Sequence, residues 1–317
     1  MNGVAVGAGK ALWAITTYFN PVGYENRRAN YRIFRERLTV PLLAIELGYG
    51  PKFNLGEGDA DILVQLRGDD VMWQKERLLN LAMGLLPDGC DSVAWLDCDI
   101  VFEDDDWAER AVDILERVPL AQLFGQVHYM PRFLPPDGIG LEASEVRRTS
   151  LVSAVKSGLS AEACLEDANR RVYGLYSPGF AWAARRAFIE KYGLYDCCIV
   201  GGGDRAMAAA LYDSFGHVVR RHRMAKSETA RYLSWARRFH QAADGAVGFV
   251  EGNIFHLWHG ALENRRMRER HQILSRFEFD PSEDIALDDN GIWRWNSDKK
   301  EMHAFVGNRF YDRHEDG

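Results

Sequence analysis

The chain has no long apolar run. No window reaches the roughly 18 apolar residues that a membrane span needs, and the N-terminal MNGVAVGAGKALWAITTYF has no basic segment ahead of a long apolar core. The expectation is a cytoplasmic protein that does not engage a membrane, although an anchored enzyme stripped of its anchor would read the same. Cysteine is scarce. Five residues, an odd number without metal-ligand spacing and with Cys98 inside an acidic motif, exclude a disulfide framework and point to a reducing compartment. Phosphate loops are absent as well. Residues 48–58 are glycine-rich but lack the G-x-G-x-x-G spacing of a dinucleotide site, and no Gly-rich loop followed by Lys stands near the N-terminus. Internal repeats and low-complexity segments are missing too.

What remains is the composition of an ordinary globular protein, 47% apolar and 27% charged over 317 residues, enough to bury a full core as one large domain or two small ones. The net charge of −7 is uneven. Residues 217–276 hold twelve Lys and Arg against five Asp and Glu, about +7, so the remainder carries about −14. Such asymmetry marks either a surface for an anionic partner or a solvated basic helix face.

The organising stretch is SVAWLDCDIVFEDDD, residues 92–106. The apolar run Val93-Ala94-Trp95-Leu96 reads as a buried strand that delivers Asp97-Cys98-Asp99 to a sheet edge. Two Asp at i, i+2 point to one side, at the carboxyl end of a parallel strand, where open α/β sheets hold their ligands. Hard oxygen donors there suit Mg²⁺ or Mn²⁺; the plainer alternative is that both Asp cap the following turn. Around this stretch, strands at 12–18, 42–47 and 62–67 alternate with helices at 23–38 and 73–86, the latter facing the core with Leu78, Leu79, Leu81, Ala82 and Leu85. That alternation predicts a parallel α/β sheet. A helix at 107–118, a strand at 120–128, a strand-to-helix segment at 177–188, a helix at 205–215 and a last strand at 247–258 follow. Residues 130–175 read as an irregular insertion with a polar helical stretch near 161–171, a lid, an acceptor loop or a plain excursion. Asn290-Gly291 reads as a hairpin turn in a C-terminal tail, 276–317, that carries no assignable motif and would cover the active face or mediate self-association.

Four segments in order carry a resemblance: Trp73-Gln74-Lys75-Glu76-Arg77-Leu78-Leu79-Asn80, then Asp97-Cys98-Asp99, then Gly201-Gly202-Gly203-Asp204, then His256-Leu257-Trp258-His259-Gly260. Together they resemble the GT-A glycosyltransferases, most closely the β-1,4-galactosyltransferase type, over roughly residues 10 to 275. The resemblance implies a GT-A fold, Rossmann-like, with a mostly parallel mixed sheet flanked by helices, and a domain at 1–275. It implies that Trp73 lies against the base of a uridine diphosphate and Lys75 near a phosphate. Core packing is the alternative for Trp73. Thr17 and Tyr18 at the end of the first strand, Glu46 at the end of the second, and Asp97 complete the donor-binding candidates; Glu46 meets either a nucleotide or solvent. The metal set is Asp97, Asp99 and His259, with His256 on the position of the family's methionine, and the metal Mn²⁺ (or Mg²⁺). His at i, i+3 cannot share a strand face, so one of them needs a bend.

Asp204 is the candidate general base, at a helix start where the dipole keeps a carboxylate ionised, or else a helix N-cap and nothing more. A single carboxylate base without a nucleophile on the other face suggests inversion of configuration. The pattern departs from the family at Gly203, where the family has an acid, and lacks the tryptophan before the two glycines, so the sugar is left open. For the acceptor, Trp182 and the run Arg220, Arg221, Arg223 are the candidates. That run and the residues Arg231, Tyr232, Trp235, Arg237 and Arg238 interleave cations with aromatics as nucleic-acid tracks do. The His-Leu-Trp-His-Gly ending has a general likeness to glucosyltransferases that modify hydroxymethylated DNA bases. The expected function is therefore metal-dependent transfer of a hexose from a UDP-sugar to an acceptor hydroxyl, on DNA or on a saccharide. A nucleotidyltransferase and a silent nucleotide-sugar-binding module are the alternatives of another class.

Overall fold

The computed structural model describes residues 11–134, 138–144, 146–167, 174–267 and 269–317. Its first half follows the expected alternation: β1 (Ala11–Phe19), α1 (Glu25–Arg37), β2 (Leu42–Gly48), β3 (Ile62–Arg67), α2 (Lys75–Met83) and β4 (Cys90–Leu96). β1 stops at Pro21, and the Asn20 side chain accepts from the backbone N–H groups of Gly23 and Tyr24 at 3.1 and 2.9 Å, turning the chain into α1. Then come β5 (Ile100–Phe102), α3 (Trp107–Leu115), β6 (Leu120–Gln122), β7 (Gln126–Tyr129), β8 (Val146–Ser150), α4 (Leu151–Lys156), α5 (Ala161–Asp167), β9 (Tyr176–Ser177), β10 (Ala181–Arg185) and α6 (Arg186–Tyr192). The chain closes with α7 (Gly203–Leu211), α8 (Phe215–His222), α9 (Lys226–Ala243), β11 (Val247–Phe249), β12 (Asn253–His256), α10 (Glu269–Leu274), β13 (Ile285–Leu287), β14 (Trp293–Trp295) and α11 (Lys300–Tyr311).

The main sheet runs β11-β6-β10-β4-β1-β2-β3, parallel throughout except for β10, which is antiparallel to β4 and β6. This is the mostly parallel mixed sheet that the sequence predicts. Both faces are covered, as an unbroken apolar strand such as LLAIELG requires. Alternate residues divide between the two faces: Ile15, Leu43, Ile45, Val93 and Trp95 pack on the side of α2, α6, α7 and α9. Ala14, Leu42, Ala44, Ala94 and Ala183 pack on the other side, where the small size of the four alanines admits Tyr31 and Phe34 of α1 and Trp107 and Leu115 of α3.

Two expected strands are not continuous. Residues 120–128 and 247–258 both break, giving β6 and β11 to the main sheet and β7 and β12 to a second sheet ordered β5-β12-β7-β8-β9. The two chains cross together at Gly125 and Gly252, where the N–H of Gly125 donates to the carbonyl of Gly252 at 2.9 Å. Gly252 holds φ +119°, a conformation that L side chains rarely adopt. A glycine inside a strand pattern is the local sign of such a break.

Helix bounds shift as well. α2 ends at Met83, so Leu85 is half exposed rather than core-facing. Helix α7 starts at Gly203 with Gly202 as N-cap, so Asp204 sits in the first turn and is not the cap. The described part of the 130–175 insertion is built into the fold: β8 pairs with β7, α4 buries Leu151, Val152 and Ala154, and α5 buries Cys164 and Leu165. Residues 168–171 of the expected helical stretch lie outside the described residues. The Asn290-Gly291 turn joins β13 to β14 as expected, and α11 sets Met302, Val306 and Phe310 into the same core as the main sheet. None of the five cysteines forms a disulfide. Among the described residues no helix is long and apolar enough to cross a membrane.

Glu228 is a buried charge away from the site. It stands at the third position of α9, 7% exposed, and accepts from the backbone N–H of the N-cap Ala225. Burial nevertheless pushes its carboxyl up to about 8. A carboxyl whose folded pKa lies above its unfolded value stabilises the fold fully below pH 4.5 and loses that contribution as pH rises through about 8. Glu228→Gln is therefore expected to gain stability over the parent chain between pH 5 and 8, by at most about 1.4 kcal/mol per pH unit. Urea melts across that range measure the difference, and parallel curves would refute it.

Candidate active site

The carboxyl ends of β1 and β4 open into a cavity of about 540 Å³ closed by α7, α8, α10 and α11. Three of its donors converge. Asp99 follows β4, His256 ends β12 and His259 lies past a bend, and one ligand atom from each falls within 4.8 Å of the others. The two Nε2 atoms are 3.1 Å apart, and Asp99 Oδ2 is 3.0 Å from His259 Nε2. Two donors at right angles on a divalent metal, each about 2.1 Å from it, stand about 3.0 Å apart. Asp99 Oδ1 is buried and accepts no hydrogen bond among the described residues. Burial, and after it the guanidinium of Arg265, holds His259 down to about 3 and His256 well below its ordinary value, so both imidazoles are neutral lone-pair donors at pH 7. These residues fit a metal ion, and two imidazoles beside one carboxylate favour Mn²⁺ over Mg²⁺.

His259 is oriented from behind. Its Nδ1 lies 3.3 Å from the carboxylate of Glu315, itself buried and paired with Arg313 at 2.5 Å and Arg27 at 3.2 Å. A carboxylate on the far nitrogen fixes the tautomer and leaves Nε2 facing the site. Arg265 donates to that same Nε2 at 2.7 Å. A bound metal and this contact exclude each other, so the guanidinium must release the ring for a metal to enter.

Asp97 stands outside this group. Its Oδ1 is 2.5 Å from Lys75 Nζ, and the same ammonium lies 3.1 Å from Asp204. The expected carboxylate pair is thus divided between a metal donor, Asp99, and an ammonium partner, Asp97. Burial works against the charge on Lys75, but Asp204, Asp97 and Glu76 outweigh it and hold the pKa high. Burial raises Asp97 to about 6 and, with Asp204 beside it, Glu76 to about 8. Glu76 was not singled out by the sequence. Its carboxylate fills the space where a side chain on Gly203 would go, so an acid from α2 occupies the place of the acid that the 201–204 loop lacks. Gly179 has a similar cause: a Cβ there would sit 3.0 Å from the Asp204 carboxylate. The next residue, Phe180, holds a left-handed φ of 77°, and its carbonyl accepts from Asp97 N at 2.8 Å. Backbone strain of this kind costs of the order of 1 kcal/mol or more and persists where surrounding contacts impose it.

The remaining candidates separate. Thr17 and Trp73 line the cavity. Trp73 packs edge-on to Phe19, near-parallel to Phe310, with the Arg313 guanidinium 5.2 Å from its ring. Tyr18 does not line it; fully buried, it hydrogen-bonds Asn54. Glu46 is neither at the cavity nor solvated: its carboxylate accepts from Asn54 N, Leu55 N and Gln65 Nε2 and pins the loop after β2. Trp182 is core, opposite Trp95 across β10 and β4, its Nε1 donating to Pro178 O. Of the basic run only Arg221 reaches the cavity. Arg220 is exposed and pairs with Glu162, and Arg223 is exposed at the C-cap of α8. Tyr232 and Trp235 turn inward against Tyr195, so no surface strip of alternating cations and aromatics forms there. The cavity's other cations, Arg205, Arg270, Arg309 and Arg313 among them, lie outside that run.

No protein-family model and no curated protein matches the sequence. Solved structures with a similar arrangement include glucosyl-3-phosphoglycerate synthase from Mycobacterium tuberculosis, 14% identical with a TM-score of 0.42 over 91% of this chain and 88% of that one. The catalytic domain of Drosophila β1,4-galactosyltransferase 7 is 14% identical with a TM-score of 0.30, covering 64% and 62%. The 4-diphosphocytidyl-2C-methyl-D-erythritol synthase of Anaerococcus prevotii is 10% identical with a TM-score of 0.32, covering 77% and 88%. Likeness this distant carries no argument about activity.

The geometry predicts which side chains govern metal binding. Asp99→Asn and His259→Ala should weaken Mn²⁺ binding, followed by the paramagnetic resonance of free Mn²⁺, by about 100-fold or more, and Glu315→Gln by about 10- to 100-fold. Asp97→Asn should change it by less than about 10-fold, since its carboxylate faces Lys75. Equal losses in the Asp97 and Asp99 variants would return Asp97 to the metal set.

Proposed function

We propose that this protein is a metal-dependent glycosyltransferase that moves a hexose from a UDP-sugar to an acceptor hydroxyl, with inversion. The observation that carries the reading is one cavity holding a three-donor metal group, Asp99, His256 and His259, together with a separate reachable carboxylate, Asp204. Mn²⁺ held there would supply Lewis-acid stabilisation of a departing diphosphate. The chain's own residues do the rest. Arg265, once released from His259, and Arg313 place positive charge where phosphoryl oxygens would lie. Trp73 offers an aromatic wall to the uracil, with Phe19 and Phe310 fixing its angle.

Asp204 takes the acceptor proton. It is the looser partner of Lys75, which lies closer to Asp97, and Glu76, protonated below about pH 8, keeps a second negative charge from crowding it. No second carboxylate is assigned a nucleophilic role, which is why inversion is proposed. The domain reading extends with the site: residues 1–275 form the catalytic unit and the 276–317 tail completes it through Arg309, Arg313 and Glu315. A hydroxymethylated DNA base is a less favoured acceptor, because Arg220, Arg223, Tyr232 and Trp235 do not face the cavity.

Incubation with Mn²⁺ and a panel of UDP-sugars, reading UDP release, should find one donor that is turned over. Asp204→Asn should lower transfer by about 10²- to 10⁴-fold while UDP binding stays within a few-fold. Absence of UDP release with every donor and acceptor, or full activity in Asp204→Asn, would overturn the proposal.

A further inference from the structure

The charge lining the cavity exceeds what this reaction's donor requires. Among the described residues ten Lys and Arg side chains line it against six carboxylates, in a chain whose net charge is −7. The proposed donor does not absorb that excess. Its diphosphate brings about two negative charges and a divalent metal about two positive ones, so the loaded pair is near neutral. Part of the excess lies away from the metal donors, where α7, α8 and α10 meet.

There Arg270 and His271 of α10 and His222 of α8 close on the Gly201-Gly202 backbone, and Arg205 of α7 and Arg221 of α8 line the same cavity. The imidazoles of His222 and His271 stack with centroids 3.8 Å apart and planes within 5°. Both glycines have positive φ, and a Cβ on Gly201 would come within 3.1 Å of the Arg270 guanidinium, one on Gly202 within 2.9 Å of the His222 ring. Bare backbone is what allows the arginine and the histidine pair this close. Arg205 donates to Leu165 O at 2.7 Å and Arg270 to His271 at 3.4 Å, and neither has a carboxylate within ion-pair distance among the described residues. Burial, and after it neighbouring arginines, pushes Arg205 down to about 10 and Arg270 to about 9. Burial, and after it the neighbouring charges, keeps both stacked imidazoles well below their ordinary value. Arg205 and Arg270, crowded together without a carboxylate partner among the described residues, repel each other, and a bound anion relieves the repulsion.

We propose that Arg205, Arg221, Arg270 and the His222–His271 pair form a phosphate-binding subsite, and that the acceptor carries a phosphomonoester beside its reacting hydroxyl. The placement follows the chain: Gly201 and Gly202, which touch the cluster, lie three and two residues before Asp204, so a phosphate held here presents the rest of the acceptor to the base. Planar guanidinium groups match phosphate oxygens bidentately, and two imidazoles add donors on protonation. A phosphomonoester is favoured over a nucleic-acid backbone because the flanking Arg220 and Arg223 point away from the cavity and would leave a polymer without a track. The acceptor assignment rests on the transferase reading; the subsite does not.

Two experiments separate these. The first uses inorganic phosphate alone, without donor or metal, and follows thermal melting of the full chain. The midpoint should rise with phosphate concentration, and Arg205→Gln and Arg270→Gln should need at least about 10-fold more phosphate for the same rise. Arg270→Lys, keeping the charge, should recover part of it. Both Gln variants should fold, since each removes one of several repelling charges, and their own melts check this. No rise in the parent chain, or an equal rise in the Gln variants, would overturn the subsite. The second compares glycerol with glycerol 3-phosphate, glucose with glucose 6-phosphate, and hydroxymethylcytosine DNA, each with Mn²⁺ and UDP-sugars. Faster UDP release with phosphomonoesters than with their neutral counterparts supports the assignment. Equal stimulation by the neutral compounds, or stimulation by DNA alone, would overturn it. If nothing is turned over, the transferase reading fails while the phosphate melts still decide the subsite.

Discussion

The ammonium of Lys75 is the charge on which the centre of this molecule depends. It is 7% exposed and lies between Asp97, at the end of β4, and Asp204, in the first turn of α7, with Glu76 behind it. Three carboxylates cannot be gathered at a sheet edge with little water unless a cation sits among them or some are protonated. Both happen: Lys75 stays charged and Glu76 takes up its proton near pH 8. The arrangement then sets local sequence. Gly203 must be bare because Glu76 occupies its side-chain space, and Gly179 must be bare because Asp204 approaches it. An electrostatic requirement thus fixes two glycines on two other elements.

The metal-donor group depends on the end of the chain in the same way. His259 is held by Glu315, which follows α11, and Glu315 is held by Arg27 of α1 and by Arg313. Two arginines share one carboxylate, which keeps Glu315 well below the ordinary carboxylate range against the cost of burial. The helix α11 that delivers these residues is anchored by Met302, Val306 and Phe310 in the main core. The tail's packing and the orientation of a metal donor are therefore one structural feature. It also explains why the tail had no readable motif: Glu315 acquires its meaning through His259 and Arg27, 56 and 288 residues away in sequence.

The sequence made some of this legible for identifiable reasons. Continuous apolar strands, the turn at Pro21 and the hairpin at Asn290-Gly291 rest on local chemistry, and the structure has them at those positions. Asp99 was nominated by its residue type and place at a strand end, and His256 and His259 by the resemblance to the galactosyltransferase pattern; the expected bend between the histidines is what brings their Nε2 atoms together. The failures are non-local. Nothing in the spacing of Asp97 and Asp99 says that Lys75 engages one and leaves the other. Glu46 and Trp182 have the residue types of a binding site but are consumed by a loop and by the core. The breaks at Gly125 and Gly252 carried a local sign, yet it takes both chains together to show that they change sheets as a pair. In residues 217–276 the charge excess was legible, but which arginines face inward was decided by helix phase against neighbours that one sequence does not reveal.

The distribution of charge gives the proposed reaction its selectivity. A carboxylate base repels an anionic acceptor, and at short range in a partly desolvated cavity that repulsion is not negligible. The cavity answers by separating the signs: carboxylates gather on Lys75, while Arg205 and Arg270, which have no carboxylate within ion-pair distance among the described residues, lie on the other side of the Gly201-Gly202 turn. An acceptor with a phosphate and a hydroxyl can satisfy both only in one orientation, phosphate on the arginines and hydroxyl toward Asp204. A neutral acceptor gains nothing from the arginines and leaves their mutual repulsion in place. An acceptor with its charge too near the reacting oxygen meets the carboxylate of Asp204. Discrimination then comes from the distance between two opposite clusters, set by the two glycines that let the chain pass between them, rather than from a pocket shaped to one sugar.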